Sequence, residues 1–272
     1  MPITFRLKRD PTVPLEAEVL TPDVVGELSN AEIGALTVYH GKRQLPLSEF
    51  FEIEGERSPD MVIHGALHKV RWIGRAMSHG SVTIHGSAGM HLGAYMTGGR
   101  IEVHGNASDW IGAEMKNGLI HVHGNAGGQV GAAYRGSMQG MKNGVIIVDG
   151  SAGLEVGMRM RRGTIVIGGP TRDFTGLQMK GGTIILQSGA EIRTGAWMNR
   201  GTIISLQPLE LMPTFVPNCQ MTPTVIRIVS RYLQQFGVHL PFRSDAGAYQ
   251  RYSGDRAVSD KGEIFVWNPA SA

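Results

Sequence analysis

The sequence predicts an all-β fold: a right-handed parallel β-helix of seven coils of about 19 residues, preceded by a small α+β cap and followed by a helix-containing tail. Three observations lead to this prediction. Glycine is unusually frequent, at 38 of 272 residues against 13 prolines, which requires a periodic cause. The glycines recur at a nearly constant interval, and a short alternation of apolar and polar residues follows each recurrence.

The glycine repeat keeps one period along the chain. The interval between first glycines is the same in five of six steps and is lengthened once, by seven residues, and a second glycine follows six residues later in six of the seven units. The first glycines are Gly74, Gly93, Gly112, Gly131, Gly157, Gly176 and Gly195. A unit this short is typical of one coil of a parallel β-helix. A left-handed hexapeptide helix is disfavoured, because the step from Gly86 to Gly93 is seven residues rather than six.

Each unit carries one strand and one methionine. The strand is indicated by the alternation after the second glycine, as in residues 81–85 and 164–167. The methionine lies three residues after the first glycine, where we expect it to point into the core. This methionine column consists of Met77, Met96, Met115, Met160, Met179 and Met198, with Met141 in the equivalent place after an insertion.

Different patterns flank the repeat, so we predict three regions: a cap segment at 1–60, the repeat domain at 61–206 and a C-terminal tail at 207–272. In the cap we expect a strand at 3–8, a helix capped near Thr21 or Ser29, and further strands around 36–40 and 50–54. In the tail, Thr222 and Pro223 are typical of a helix start, and the helix should run to about Phe236. Such flanks would cover the unpaired strand edges at the ends of the repeat.

Composition narrows the function classes. The net charge of +3 is too small to indicate nucleic-acid binding. The single cysteine, Cys219, excludes an internal disulfide framework and favours a reducing compartment. The first residues lack a signal-peptide pattern, and no stretch approaches the roughly 20 apolar residues of a membrane helix. We therefore expect a cytoplasmic protein that binds neither nucleic acid nor membranes.

No residue pattern for catalysis is recognisable, because there is no phosphate-binding loop, no dinucleotide fingerprint and no nucleophile with its base. A column of imidazoles precedes the coil-closing glycines at His64, His85, His104 and His123, continues as Asp149 and has His121 beside it. Consecutive rungs of one flat face rarely converge on a tetrahedral metal site. A solvent-facing ladder of neutral imidazoles is therefore the favoured interpretation, with a bound metal as the alternative. We assign no catalytic, cofactor-binding or metal-binding residue.

Three other sets of residues are candidates for partner contacts. Cations follow the methionine in four consecutive units, where like charges repel one another unless an anion lies along them or the side chains point apart into solvent. This cation ribbon comprises Lys116, Lys142, Arg161 and Lys180, with Arg162 and Arg200 one position further on. The insertion in the fourth unit should form a projecting, partner-binding loop, the insertion loop, with Tyr134, Arg135 and Met138. The outward strand positions Ile147, Val166, Ile185 and Ile204 form an apolar ribbon that the tail or a sister subunit must cover.

Residues 110–145 and the segment PLEAEVLTPDVV at 14–25 resemble the C subunit of formylmethanofuran dehydrogenase and of its bacterial relative, the formyltransferase/hydrolase complex. The likeness runs over roughly residues 14–206. The glycine pattern also resembles the C-terminal β-helix of the glutamate synthase large subunit, which lacks this N-terminal segment. The resemblance implies a right-handed β-helix that serves as a non-catalytic scaffold and binds no cofactor itself.

The resemblance also implies partners and a reaction. The partners would be amidohydrolase-like, formyltransferase and tungstopterin-subunit-like chains, which would hold the metals and the methanofuran-like carrier. The bacterial reaction would be formyl transfer from formyl-tetrahydromethanopterin to that carrier, followed by hydrolysis to formate; the archaeal alternative is reduction of carbon dioxide to formylmethanofuran. Fourteen methionines and a mildly basic balance favour the bacterial complex. The cation ribbon would bind an acidic sister subunit or the polyglutamate tail of the carrier. A glutamate-synthase-like spacer and a free-standing polysaccharide-active enzyme are the other function classes.

Overall fold

The computed structural model describes residues 1–240 and 247–268, and within these ranges the fold is mainly β, as the sequence predicts. The first strands are β1 (Ile3–Leu7), β2 (Leu15–Glu16), β3 (Thr37–His40), β4 (Arg43–Pro46) and β5 (Phe51–Glu54). The repeat strands are β6 (Asp60–His64), β7 (Val70–Arg71), β8 (Ser81–His85), β9 (Arg100–Val103), β10 (Leu119–Val122), β11 (Val145–Val148), β12 (Thr164–Ile167), β13 (Lys180–Leu186) and β14 (Arg200–Ser205). The tail holds β15 (Val216–Met221), β16 (Tyr249–Gly254) and β17 (Gly262–Trp267). The helices are α1 (Pro22–Val25), α2 (Asn30–Ala35) and α3 (Thr224–Gln234), and a 3-10 turn spans Leu47–Glu49.

Thirteen of these strands form one sheet, in the order β15-β16-β17-β14-β13-β12-β11-β10-β9-β8-β6-β1-β5. Neighbouring strands run parallel from β1 through the repeat to β17. The register pairs residues that are one repeat apart, so Ile120 faces Ile101 on one side and, across the insertion, Ile146 on the other. Each of the seven units contributes one strand, β8 to β14, and stacks on the unit before it.

Successive units also contact one another along two further lines. Isolated parallel bridges join Leu67 to Ala88 and Ala88 to Ala107, and continue in later units. From Gly93 onwards, the amide of each first glycine donates to a carbonyl of the preceding unit, as from Gly112 to Leu92 at 2.8 Å. The backbone of one unit is therefore hydrogen-bonded to the next at three places around the chain path.

The core lies between these three lines. All seven members of the methionine column are fully buried, as the repeat pattern predicts. They pack with the inward strand residues, which include Ile101, Ile120 and Ile146. Burial of each such side chain stabilises the fold by roughly 1.5–3 kcal/mol relative to exposure, so every unit adds a similar amount of stabilisation.

Both possible helix starts in the cap are used. Thr21 is the N-cap residue of α1, without a side-chain hydrogen bond to the helix, and Ser29 caps α2 through a capping box with Glu32. The cap is joined to the repeat because β1 pairs in parallel with β6, while β5 pairs with β1 in the antiparallel sense. A second sheet of β4, β3, β2 and β7 lies beside it.

The tail contains more structure than the predicted helix. Pro223, rather than Thr222, is the N-cap of α3. β17 lies parallel to β14, and β16 and β15 then follow in antiparallel pairs, so the tail extends the repeat sheet with three strands that the sequence did not indicate. Among the helices in the described ranges, none has both the length and the apolar character needed to cross a membrane.

Candidate functional site

The cation ribbon lies on consecutive rungs of the repeat. The amides of Lys142, Arg161 and Lys180 each donate to a methionine carbonyl of the preceding unit, at 2.7–2.8 Å. Lys142 and Lys180 are half-buried, and the exposed members are Lys116, Arg161, Arg162 and Arg200. Within the part of the chain that the structure describes, none of the six cations forms an ion pair. Their charge is therefore not neutralised by those residues.

The insertion loop packs beside the cation ribbon. Nζ of Lys180 donates to the carbonyl of Met138 at 3.2 Å, and the guanidinium of Arg159 donates to the carbonyl of Ser137 at 2.5 Å. The side chains of Arg135 and Met138 are exposed, Met138 by 56%. The loop and the ribbon therefore share one surface.

Tyr134 does not project from the insertion loop, so that part of the sequence prediction is wrong. Its ring stacks on Trp110 with centroids 4.8 Å apart, and its hydroxyl lies 2.9 Å from Nδ1 of His91. Tyr95 and Trp72 lie at 5.6 and 6.1 Å from the same ring. Packing against these rings partly buries Tyr134 and raises the pKa of its hydroxyl well above the usual value. Aromatic pairs add about 0.5–1.5 kcal/mol beyond area burial, so the ring folds back instead of facing a partner.

This aromatic cluster was not recognised in the sequence, although one pattern indicates it. Trp72, His91 and Trp110 occupy the same place in three successive units, and equivalent positions of successive units stack. His91 lies between the two indole rings, at centroid distances of 4.1 and 6.4 Å. Burial there lowers the pKa of His91, and the charge of Arg71 acts in the same direction.

The apolar ribbon is covered by the chain's own tail. Its four residues, Ile147, Val166, Ile185 and Ile204, are at most 1% exposed. They share a cluster with Ile226 and Leu233 of α3 and with Phe265 of β17. This surface is therefore internal to the folded chain.

The histidine column forms a stack of nearly parallel rings. Centroid distances are 4.8 Å from His64 to His85, 4.9 Å from His85 to His104 and 5.0 Å from His104 to His123. These distances follow from the rung spacing of a β-sheet. The stack ends at His123, whose surroundings differ from those of the other rings.

His123 bridges two carboxylates. Its Nε2 lies 3.0 Å from Oε1 of Glu102, and its Nδ1 lies 2.9 Å from Oδ2 of Asp149. Burial opposes protonation of His123, but the hydrogen bonds with Glu102 and Asp149 outweigh it, so its pKa is raised. The same bond with His123 lowers the pKa of Glu102. This ring therefore departs from the ladder of neutral imidazoles that the sequence favours.

His121 reaches the same carboxylate from the neighbouring position. Its Nε2 lies 3.0 and 3.1 Å from the two oxygens of Asp149, and its side chain is only 11% exposed. The sequence places His121 beside the column, but it does not show that the two imidazoles and the carboxylate converge.

A family model described as the GXGXG motif matches residues 56–226, and the fold and glycine repeat agree with it. The C subunit of the molybdenum-containing formylmethanofuran dehydrogenase 1 of Methanosarcina barkeri is 42% identical over 85 residues, which are 29% of this chain and 28% of that protein. The C subunit of the tungsten-containing formylmethanofuran dehydrogenase 2 of Methanococcus maripaludis is 33% identical over 93 residues, 34% of each chain. The matched stretches thus span about a third of the length of these relatives.

A solved structure matches over almost the whole chain. It is the crystal structure of the formyltransferase/hydrolase complex from Methylorubrum extorquens in complex with methylofuran, one chain of which is 32% identical with a TM-score of 0.87. The superposition covers 97% of this chain and 99% of that chain. The chain therefore belongs to the GXGXG family and, within it, to the family of formylmethanofuran dehydrogenase C subunits.

Proposed function

We propose that this chain is a non-catalytic scaffold subunit of a hetero-oligomeric C1-transfer complex. The observation that carries the proposal is the superposition, over 97% of this chain, on a chain from the formyltransferase/hydrolase complex. That likeness includes the cap and the tail, whereas the dehydrogenase relatives match over about a third of their length. A complex of the bacterial type is therefore the preferred assignment.

We infer that the scaffold itself is a right-handed parallel β-helix with seven repeat coils. Three lines of hydrogen bonds between successive units and the fully buried methionine column support this geometry. Such a fold presents long, regular faces that are suited to holding several subunits at fixed positions.

In this proposal the sister subunits carry out the chemistry in the cytoplasm. They transfer a formyl group from formyl-tetrahydromethanopterin to a methanofuran-like carrier and hydrolyse the product to formate. They are amidohydrolase-like, formyltransferase and tungstopterin-subunit-like chains, and they hold the catalytic metals. The cation ribbon and the exposed side of the insertion loop are the surface of this chain that we assign to them.

Activity measurements on the complex and on the chain test the proposal. We expect the complex isolated through this chain, carrying a streptavidin-binding tag, to release formate from the formylated carrier. The purified chain should release none. Formate production by the chain alone would refute the scaffold role, and copurification with glutamate synthase domains instead would refute the C1 assignment.

The dehydrogenase relatives favour a second candidate, the role of the C subunit in an enzyme that reduces carbon dioxide. The two candidates differ in the metal content of the isolated complex. Molybdenum or tungsten bound as a pterin, together with reduction of carbon dioxide, would replace the first assignment by the second.

A further inference from the structure

His121, His123 and Asp149 converge because of where they stand in the repeat. Side chains alternate along extended backbone, so His121 in β10 and His123, the residue directly after β10, present their imidazoles on one face. Asp149 follows β11, the next strand of the sheet, and its amide donates to the carbonyl of Val122 at 2.9 Å. Two histidines, in and directly after one strand, and a carboxylate directly after the neighbouring strand therefore face a common point.

The imidazole nitrogens of His121 and His123 each lie close to the distance from Asp149 that a tetrahedral metal requires. His121 Nε2 and His123 Nδ1 lie 2.9–3.1 Å from the oxygens of Asp149, and all three groups offer atoms within 4.8 Å of one another. With metal–ligand bonds of about 2.0–2.2 Å, two ligands of a tetrahedral ion lie roughly 3.3–3.6 Å apart. The imidazole–carboxylate distances would therefore need to lengthen by a few tenths of an ångström to admit an ion in place of the hydrogen-bonding protons, and the two ring nitrogens, which lie within 4.8 Å of each other, would need to reach the same separation.

The ring nitrogen of His123 that faces away from Asp149 has the kind of partner that metal-binding histidines usually have. Such a histidine commonly donates its other ring N–H to a carboxylate, which fixes the tautomer and orients the ring. Here Nε2 of His123 lies 3.0 Å from Oε1 of Glu102, which leaves Nδ1 directed at the common point. Two carboxylates around two imidazoles also favour a cation electrostatically.

The common point opens onto a cleft of about 370 Å³ between the repeat and the tail. The cleft is also lined by Gln187 and by His239, which follows α3. A three-residue ligand set that faces such a cleft leaves a fourth position for water or another small ligand.

We propose that His121, His123 and Asp149 bind a divalent transition-metal ion of the zinc type, with Glu102 positioning His123. Two imidazoles and one carboxylate suit Zn²⁺ and Co²⁺ better than Mg²⁺ or Ca²⁺, which prefer oxygen ligands. The site is additional to the metals assigned to sister subunits, and it does not depend on the proposed function. It revises the expectation from the sequence that no metal residue is present in this chain.

Metal titration of the full chain, purified without a histidine tag and stripped with a chelator, tests the site. We expect one Co²⁺ per chain with visible ligand-field absorption typical of nitrogen coordination, and displacement of Co²⁺ by one equivalent of Zn²⁺. Zn²⁺ should also raise the melting temperature. The absence of one-to-one binding at micromolar metal would overturn the proposal.

Variants separate this site from adventitious binding by histidines. His121→Ala and Asp149→Asn should each weaken Zn²⁺ binding by more than 100-fold, and Glu102→Gln by about 10–100-fold. His85→Ala, which removes a stacked ring outside the cluster, should bind as the unaltered chain does. Circular dichroism shows whether each variant is folded. If a variant of a metal ligand does not fold, the near-isosteric Glu102→Gln still tests the site. Equal binding by all four variants would show that the cluster is not the site.

Discussion

Gly86 sets the distance between successive rungs at one corner of the repeat. Its φ is +144°, and a Cβ there would lie 2.1 Å from the carbonyl oxygen of Gly65. We expect Gly86→Ala to lower the free energy of unfolding by about 3 kcal/mol or more, since the backbones must separate in addition to adopting an unfavourable φ. Urea denaturation measures the change.

Gly136→Ala is the matched control for that substitution. Gly136 also has a positive φ, of +87°, but nothing lies within 4 Å of its Cβ position. The cost there should be only about 1–2 kcal/mol, from the left-handed backbone alone. Equal losses at the two glycines would mean that rung spacing does not depend on Gly86.

His91 should make the protein sensitive to mild acid. Because its folded-state pKa is lowered, the unfolded chain binds the proton more readily, and stability present above about pH 6.5 is lost as pH falls towards the folded pKa. We expect a fall from pH 7.5 to 5.5 to reduce the melting temperature more for the unaltered chain than for His91→Phe. Parallel pH dependences for the two proteins would contradict this role for His91.

At the scale of elements, α3 joins the tail to the repeat through one face only. Ile226 and Leu233 are fully buried against the apolar ribbon, whereas Ile228 on the same helix is 63% exposed. We expect Ile226→Asp to lower the free energy of unfolding by about 3–5 kcal/mol and to increase binding of a hydrophobic dye, because a charge would enter the cluster. Ile228→Asp, with the same change of residue, should do neither.

Elements whose partners lie one repeat away could be predicted from the sequence. The strands β8 to β14 and the buried methionines follow from the period alone. Asn106 and Asn125 occupy the same place in successive units, and the side-chain carbonyl of Asn106 accepts from the amide of Asn125 at 2.8 Å. In each case a local pattern repeats, so the position of a residue in one unit predicts the position of its partner in the next.

Elements whose partners lie far away in the chain could not be predicted in the same way. β17 pairs with β14, for example Gly262 with Gly201, and the repeat period does not connect these two positions in the sequence. Tyr134 folds back onto a ring from an earlier unit, because the insertion releases it from the repeat. The convergence of His121 with Asp149 needs both the alternation along a strand and the lengthened step across that insertion.

For the whole molecule, the positive charge of the cation ribbon exceeds the net charge of the chain. The net charge is +3, so without the six cations of the cation ribbon the acidic residues outnumber the basic ones. Neighbouring cations on rungs about 4.8 Å apart repel by roughly 1 kcal/mol even at the dielectric of water. An anionic partner lying along the ribbon would remove that cost, which is why we assign this face to an acidic sister subunit or to a polyanionic carrier tail.

Reversing charge at Lys142 and Arg161 tests that assignment in the assembled complex. At low salt we expect Lys142→Glu with Arg161→Glu to reduce sister-subunit assembly or carrier retention at least tenfold, because attraction becomes repulsion over a distance shorter than the screening length of about 8–10 Å. Salt should weaken the unaltered complex and have less effect on the variant.

Arg9→Glu with Arg57→Glu makes the same change of net charge at exposed positions in the cap and should behave as the unaltered chain. Because the two ribbon reversals relieve repulsion within the isolated chain, its melting temperature should not fall, so a loss of assembly cannot come from unfolding. Full assembly and carrier retention by the ribbon variant at low salt would eliminate the cation ribbon as a binding surface.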